Sequence, residues 1–175
     1  MDALTGKVVA QASSPDSEMP IISPRPGWAE QDPRMWWECA QAVMRELALA
    51  AKEEKGEIRA IGIGYQMHGL VLLDKDGEPV RRSVIWCDSR AGKIGRELAR
   101  ELTRNLGPEE ITRGLLNEPG NFTVSKLAWV LRYEPDLAGA IRWVMLPGDY
   151  IAWRLTGKAA TSVCGLSEGM LWDFR

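Results

Sequence analysis

Two short clusters hold the residue types best suited to gripping a small, hydroxyl-bearing ligand: Gln66-Met67-His68, just before Gly69, and Trp86-Cys87-Asp88-Ser89-Arg90. A hydroxyl both donates and accepts a hydrogen bond, and a neutral imidazole offers one of each. His68 is the only histidine of the chain. It reads either as a ligand contact or as a hydrogen-bonded residue at a strand end. The Gln66 amide suits hydroxyls equally well, or bridges backbone groups. Asp88 and Arg90 stand two apart, on one side of a continuing strand. They either pair with each other or face a ligand; Arg90 reads as the structural member. Trp86 could stack on a ligand face, but packing is the preferred reading.

These clusters need elements to present them. The apolar run Ile58 to Tyr65, bounded by charge and glycine, predicts a buried strand that ends at Gln66. Leu70 to Leu73 and Pro79 to Trp86 flank Asp74-Lys75-Asp76-Gly77, a hairpin turn signal. Both clusters therefore lie at strand ends, where open α/β sheets usually bind ligands. Before them, Lys7 to Ala12 predicts a strand and Ser13 to Pro26 an extended segment. Asp32-Pro33 predicts a helix start, with Asp as cap and Pro at the first helical position. Trp36, Ala40, Val43, Met44, Leu47 and Ala51 give that helix one apolar face, and Gly56 stops it. Trp36 reads as core and Trp37 as partly exposed.

Farther on, helices are predicted over Ala91 to Leu106, over Glu109 to Leu116, and over Phe122 to Arg132 with Asn121 as cap. Asn117 to Asn121 is a predicted loop. A short helix begins at Pro135. A strand is predicted over Arg142 to Leu146, and a helix from Pro147-Gly148-Asp149 to Gly157, with Asp149 as cap. Ala159 to Arg175 reads as loop and strand. Lys126 reads as solvated or salt-bridged, and Glu168 as lining the cleft. Strands alternating with helices predict the α/β class.

The bulk numbers narrow the function. The chain's 175 residues suffice for one domain with a real core. A net charge of -2 gives no basic field for nucleic acid or an anionic membrane. Cys39, Cys87 and Cys164 are scattered and cannot build a zinc site with one histidine at the usual spacings. Their modest number predicts a reducing, cytoplasmic setting. No apolar run is long enough to span a bilayer. Gly62-x-Gly64 lacks a third glycine, since Met67 takes its place, and no Walker-type phosphate loop occurs. Ser167 lacks the nucleophile-elbow frame.

Gln66-Met67-His68-Gly69 followed by Trp86-x-Asp88-x-Arg90 resembles the N-terminal domain of the FGGY family of carbohydrate kinases. Similar stretches run nearly from end to end. They are Pro26-Gly27-Trp28-Ala29-Glu30-Gln31-Asp32-Pro33, Pro119-Gly120-Asn121-Phe122-Thr123, Lys126-Leu127-x-Trp129, Leu146-Pro147-Gly148-Asp149-Tyr150 and Leu166-Ser167-Glu168-Gly169. Met67-His68 is similar to the xylulokinase branch, and glycerol kinases carry Arg-Glu there. Asn121 and Tyr133 depart from the family's signature.

The resemblance implies a ribonuclease-H-like fold of the actin and hexokinase superfamily. Residues 1–175 would be part of a sugar-binding N-terminal domain, its first strand and the ATP-binding domain lying outside them. It implies ATP-dependent phosphorylation of a ketopentose, D-xylulose in particular, with Gln66, Met67, His68 and Asp88 as sugar contacts. Other FGGY substrates, or a non-catalytic sugar- or partner-binding module, are the alternatives. ATP and magnesium are implied, with their site outside this chain. No residue present is assigned as catalytic base, as metal ligand or to the nucleotide. The chain alone is expected to be inactive. Unpaired strand edges at Lys7–Ala12 and Ile58–Gly64 are expected to make the chain self-associate or rearrange its sheet.

Overall fold

The computed structural model describes residues 1–54, 56–114 and 119–171. Its elements are β1 (Glu30–Gln31), α1 (Pro33–Glu53), β2 (Val71–Leu73), β3 (Ser83–Val84), α2 (Gly92–Leu106), α3 (Pro108–Gly114), α4 (Thr123–Tyr133), β4 (Trp143–Met145), α5 (Pro147–Thr156) and α6 (Val163–Gly169). Single 3-10 turns occupy Pro119–Asn121 and Pro135–Leu137.

The hairpin predicted around Asp74–Gly77 forms. The Asp74 carboxylate accepts the Asp76 and Glu78 amides at 2.9 and 2.8 Å, and Gly77 takes a φ of 81°. Glycine suits that position twice over, because a Cβ would also lie 2.2 Å from the Trp153 ring. β2 pairs antiparallel with β4, Val71 opposite Met145. β1 pairs antiparallel with β3, Glu30 opposite Val84, and Leu70 bridges to the same Val84.

Leu70 to Leu73 is wholly apolar because helices cover both faces of the hairpin. Leu70 and Leu72 point to one side, into a cluster with Val84, Ala91, Ile94, Trp129 and Val130 from β3, α2 and α4. Val71 and Leu73 point to the other, against Met145 and Tyr150, with Trp36, Trp37 and Trp153 packed around them from α1 and α5. Each fully buried aliphatic side chain contributes about 1.5–3 kcal/mol.

Several helix ends follow the sequence. Asp32 caps α1, its carboxylate accepting the Arg34 amide at 3.0 Å, and α5 stops at Gly157 with φ 69°. α1 ends at Glu53, a little before the expected glycine. The predicted helix Glu109 to Leu116 appears as α3, with Leu115 and Leu116 outside the described residues, as are Asn117 and Glu118 of the predicted loop.

Other expectations are corrected. Ile58 to Tyr65 forms neither a strand nor a buried segment: Ile58 and Ile61 are 54% and 59% exposed. A strand needs a hydrogen-bonding partner, and no described segment pairs with it. Lys7 to Ala12 is likewise unpaired, with Val8 and Val9 exposed. Within Ala159 to Arg175, the described part contains helix α6, begun by the Ser162 hydroxyl accepting the Gly165 amide at 3.0 Å. Asp149 is not the cap of α5. Leu146 holds that position, and the Asp149 carboxylate reaches back from the first turn to the Leu146 amide at 3.3 Å. Asn121 is not the cap of α4 either; Phe122 is.

Candidate functional site

His68 sits between the unpaired run and β2 in the left-handed region, with φ 59°. For a residue bearing a Cβ that conformation costs about 1–2 kcal/mol, so its surroundings must hold it. They do so on both sides. Its backbone N–H donates to the Glu168 carboxylate of α6, and its carbonyl accepts from Lys126 Nζ of α4 at 2.6 Å. The imidazole stands edge-on to Phe122, ring centroids 4.2 Å apart, and its Nδ1 lies 3.1 Å from Glu168 Oε1. Burial pushes the His68 pKa down; Glu168 raises it and Lys126 lowers it, with a lowered net value. The ring is therefore neutral near pH 7.

Trp86 is fixed by its backbone rather than its ring. Its N–H donates to Gln66 Oε1 at 3.1 Å, and its carbonyl accepts from Asn121 Nδ2 at 2.6 Å. The side chains of Trp86 and Met67 remain 55% and 57% exposed. Gln66, Met67, His68, Trp86 and Asn121 thus form one neighbourhood. It combines two exposed apolar side chains, Met67 and Trp86, with a neutral, mostly buried imidazole. Tyr65 adjoins it, its phenol pKa raised first by burial and then by Glu168 and Asp149.

Asp88 is placed differently from the expected sugar contact. Its carboxylate is 0% exposed and fully engaged by Ala29 N–H at 2.5 Å, Arg90 N–H at 2.9 Å and the Arg90 guanidinium at 2.7–3.0 Å. Arg90 is itself buried. It bonds to Glu30 at 2.8 Å and lies over the Trp28 ring at 3.8 Å. Glu30 also takes Arg81 at 2.6 Å. Asp88 therefore anchors a buried ion network behind the cleft, its lone pairs already occupied.

Lys126 is corrected as well: its side chain is fully buried rather than solvated. The sequence held a signal for this, because Lys126, Trp129 and Val130 recur at helical spacing along one buried face of α4, below the half-buried cap residue Phe122. Burial lowers the Lys126 pKa from 10.5 to about 8, opposed by Asp88, Cys87 and Glu168. Below about 8 the lysine is charged in both folded and unfolded chains. Between 8 and 10.5 the unfolded chain holds the extra proton, so this group makes folding more favourable as pH rises. Urea unfolding of the wild type and Lys126→Met across that window checks this. The wild type should gain stability relative to the variant with rising pH; parallel curves would contradict it.

Among the described residues no group of three His, Cys, Asp or Glu side chains could hold a metal ion, and no helix is long and apolar enough to cross a membrane. A groove of about 510 Å³ lies beside the site, between α1, α5 and residues 61–66, lined mainly by apolar side chains such as Trp36, Met44 and Ile151.

Comparison with known proteins agrees with this frame. The chain is 38% identical over 172 residues to the xylulose kinase of Streptomyces coelicolor, covering 98% of this chain and 34% of that protein. It is 34% identical over 167 residues to the xylulose kinase of Escherichia coli, covering 95% of this chain and 32% of the relative. An Escherichia coli L-xylulose/3-keto-L-gulonate kinase is 35% identical over 153 residues, 87% of this chain and 30% of the relative. Among solved structures, xylulose kinase from Rhodospirillum rubrum superposes with a TM-score of 0.81 at 33% identity, over 98% of this chain and 34% of that one. The chain thus spans about a third of the length of the curated relatives it matches. The model of the FGGY carbohydrate kinase N-terminal domain matches residues 1–175, and the chain belongs to that family.

Proposed function

We propose that this chain forms the sugar side of a carbohydrate kinase that transfers the γ-phosphate of ATP to a ketopentose, D-xylulose, giving the 5-phosphate. The observation that carries the reading is the doubly held His68, neutral and in one neighbourhood with the exposed Met67 and Trp86. Sugar recognition needs hydroxyl partners beside an apolar surface for the C–H face, and this neighbourhood has both. The curated relatives named for xylulose support the choice of sugar. His68 and Gln66 would bond hydroxyls, Met67 and Trp86 would wall the ring or chain, and Asp88 would stiffen the support behind them.

In the transfer, the sugar oxygen bonds to the γ-phosphorus, the bond to ADP breaks, and the hydroxyl proton passes to a base. Magnesium, where bound, neutralises phosphate charge. Neither a metal ligand nor a base is assigned to a residue of this chain. The chain's part is binding and orienting the sugar and keeping water from its hydroxyls. The assignment also puts the protein in the cytoplasm, where ATP is available.

The test is ADP release from ATP, magnesium and D-xylulose by the product of the complete reading frame that contains these residues. Sugar-dependent turnover supports the reading; none with any ketose would overturn it. Because a relative is named for L-xylulose and 3-keto-L-gulonate, those two sugars form the second arm. A preference for either would replace the substrate while keeping the site. In the same assay His68→Ala should weaken apparent sugar affinity by a factor matching about 0.5–1.5 kcal/mol, with folding intact.

A further inference from the structure

We infer that Glu168 is a positioning residue that fixes the His68 ring as its Nδ1–H tautomer, so that Nε2 presents a lone pair and His68 accepts a hydrogen bond from the ligand. Only the identity of that ligand rests on the sugar-kinase reading; the tautomer does not.

Which nitrogen of a neutral histidine carries the proton is decided by what the ring nitrogens face. Nδ1 is buried and 3.1 Å from Glu168 Oε1, the oxygen that also accepts the His68 backbone N–H. The ring N–H is not aligned for a linear hydrogen bond, and Nδ1 has no other polar partner among the described residues. Electrostatics still decides the proton's place. A bare lone pair on Nδ1 would face a carboxylate oxygen at that distance, which is repulsive, whereas an N–H dipole there is attractive. The ring and the backbone that carries it are both held. Phe122 abuts it, Lys126 holds the carbonyl, and Glu168 holds the amide. The other titratable groups facing the pair are Tyr65 and Lys126: both feel the Glu168 carboxylate, and Lys126 also lowers the His68 pKa.

The consequence is selectivity by hydrogen-bond polarity. An Nε2 lone pair can receive a hydroxyl hydrogen but repels a carbonyl oxygen. A ketose must therefore offer His68 one of its hydroxyls and place its keto oxygen elsewhere. A deoxy analogue lacking that hydroxyl would lose the contact.

Because His68 is the chain's only histidine, its imidazole nitrogens can be read without ambiguity. Long-range nitrogen–proton correlation spectra of the 15N-labelled chain, above the imidazole titration, should show a protonated Nδ1 and a bare Nε2. A dominant Nε2–H form in the wild type overturns the inference without any variant. Glu168→Gln should give mixed tautomers and a lower imidazole pKa, because the carboxylate raises it. A folded Glu168→Gln with both unchanged would also overturn it. In the complete reading frame, Glu168→Gln should raise KM for D-xylulose about 3- to 10-fold with little change in kcat. An Nδ1–H tautomer in a protein that responds to no sugar would sink the sugar-kinase reading and leave the role of Glu168 standing.

Discussion

Asp88→Ala should destabilise the fold by about 3–5 kcal/mol, a large part of the 5–15 kcal/mol that holds a typical domain together. The carboxylate it removes accepts from the Ala29 and Arg90 amides and from the Arg90 guanidinium. Arg90 would keep Glu30 as partner, but Glu30 is already shared with Arg81 and Arg82. The loss leaves a guanidinium that is 1% exposed short of one counter-charge, and an orphaned amide where β1 begins. Breaking one partner of a buried network costs far more than the network's net worth, because the remaining charge stays buried. Urea unfolding measures the effect. A change below about 1 kcal/mol would mean that Arg90 finds water or another acceptor, and that Asp88 is free for another use.

Gly95→Leu should cost at least about 3 kcal/mol, at the upper end of what overpacking does. Gly95 lies on α2 where it meets the 3-10 turn Pro119–Asn121, and a Cβ there would stand 2.2 Å from Gly120 Cα and 2.5 Å from its nitrogen. Those are backbone atoms, which cannot rotate away as a side chain can. The same turn carries Asn121, which holds the Trp86 carbonyl. The substitution should therefore also loosen the neighbourhood of His68 and Trp86 without touching it. The measurements are urea unfolding and quenching of tryptophan emission; unchanged stability would contradict the close approach of α2 to the turn.

Local rules were legible in the sequence where one short stretch decides the outcome. Asp32-Pro33 starts a helix whatever lies around it, and Asp74 to Gly77 closes a turn by its own hydrogen bonds. Gln66, Met67 and His68 read as a cluster because they adjoin in sequence, and the hydrogen-bonding groups of Gln66 and His68 suit hydroxyls. Features set by distant partners were not legible. Ile58 to Tyr65 has strand composition, yet pairing needs a second segment at its edge, which composition does not reveal. The Asp88–Arg90 pair was open between two uses. Glu30, Trp28 and the Ala29 amide, far away in sequence, decide for the buried one. Lys126 reads as solvated or salt-bridged because lysines are rarely buried. Only its position on the buried face of α4, opposite the His68 carbonyl, marks it as internal.

The central claim, that the His68 neighbourhood receives the sugar, is tested most directly by binding without turnover. D-xylulose is titrated by calorimetry, with no nucleotide, into the product of the complete reading frame and into its folded His68→Ala variant. The account predicts saturable one-site binding by the first and affinity weakened about 2- to 12-fold in the second. Equal affinities in the two proteins would contradict it and move the sugar away from His68.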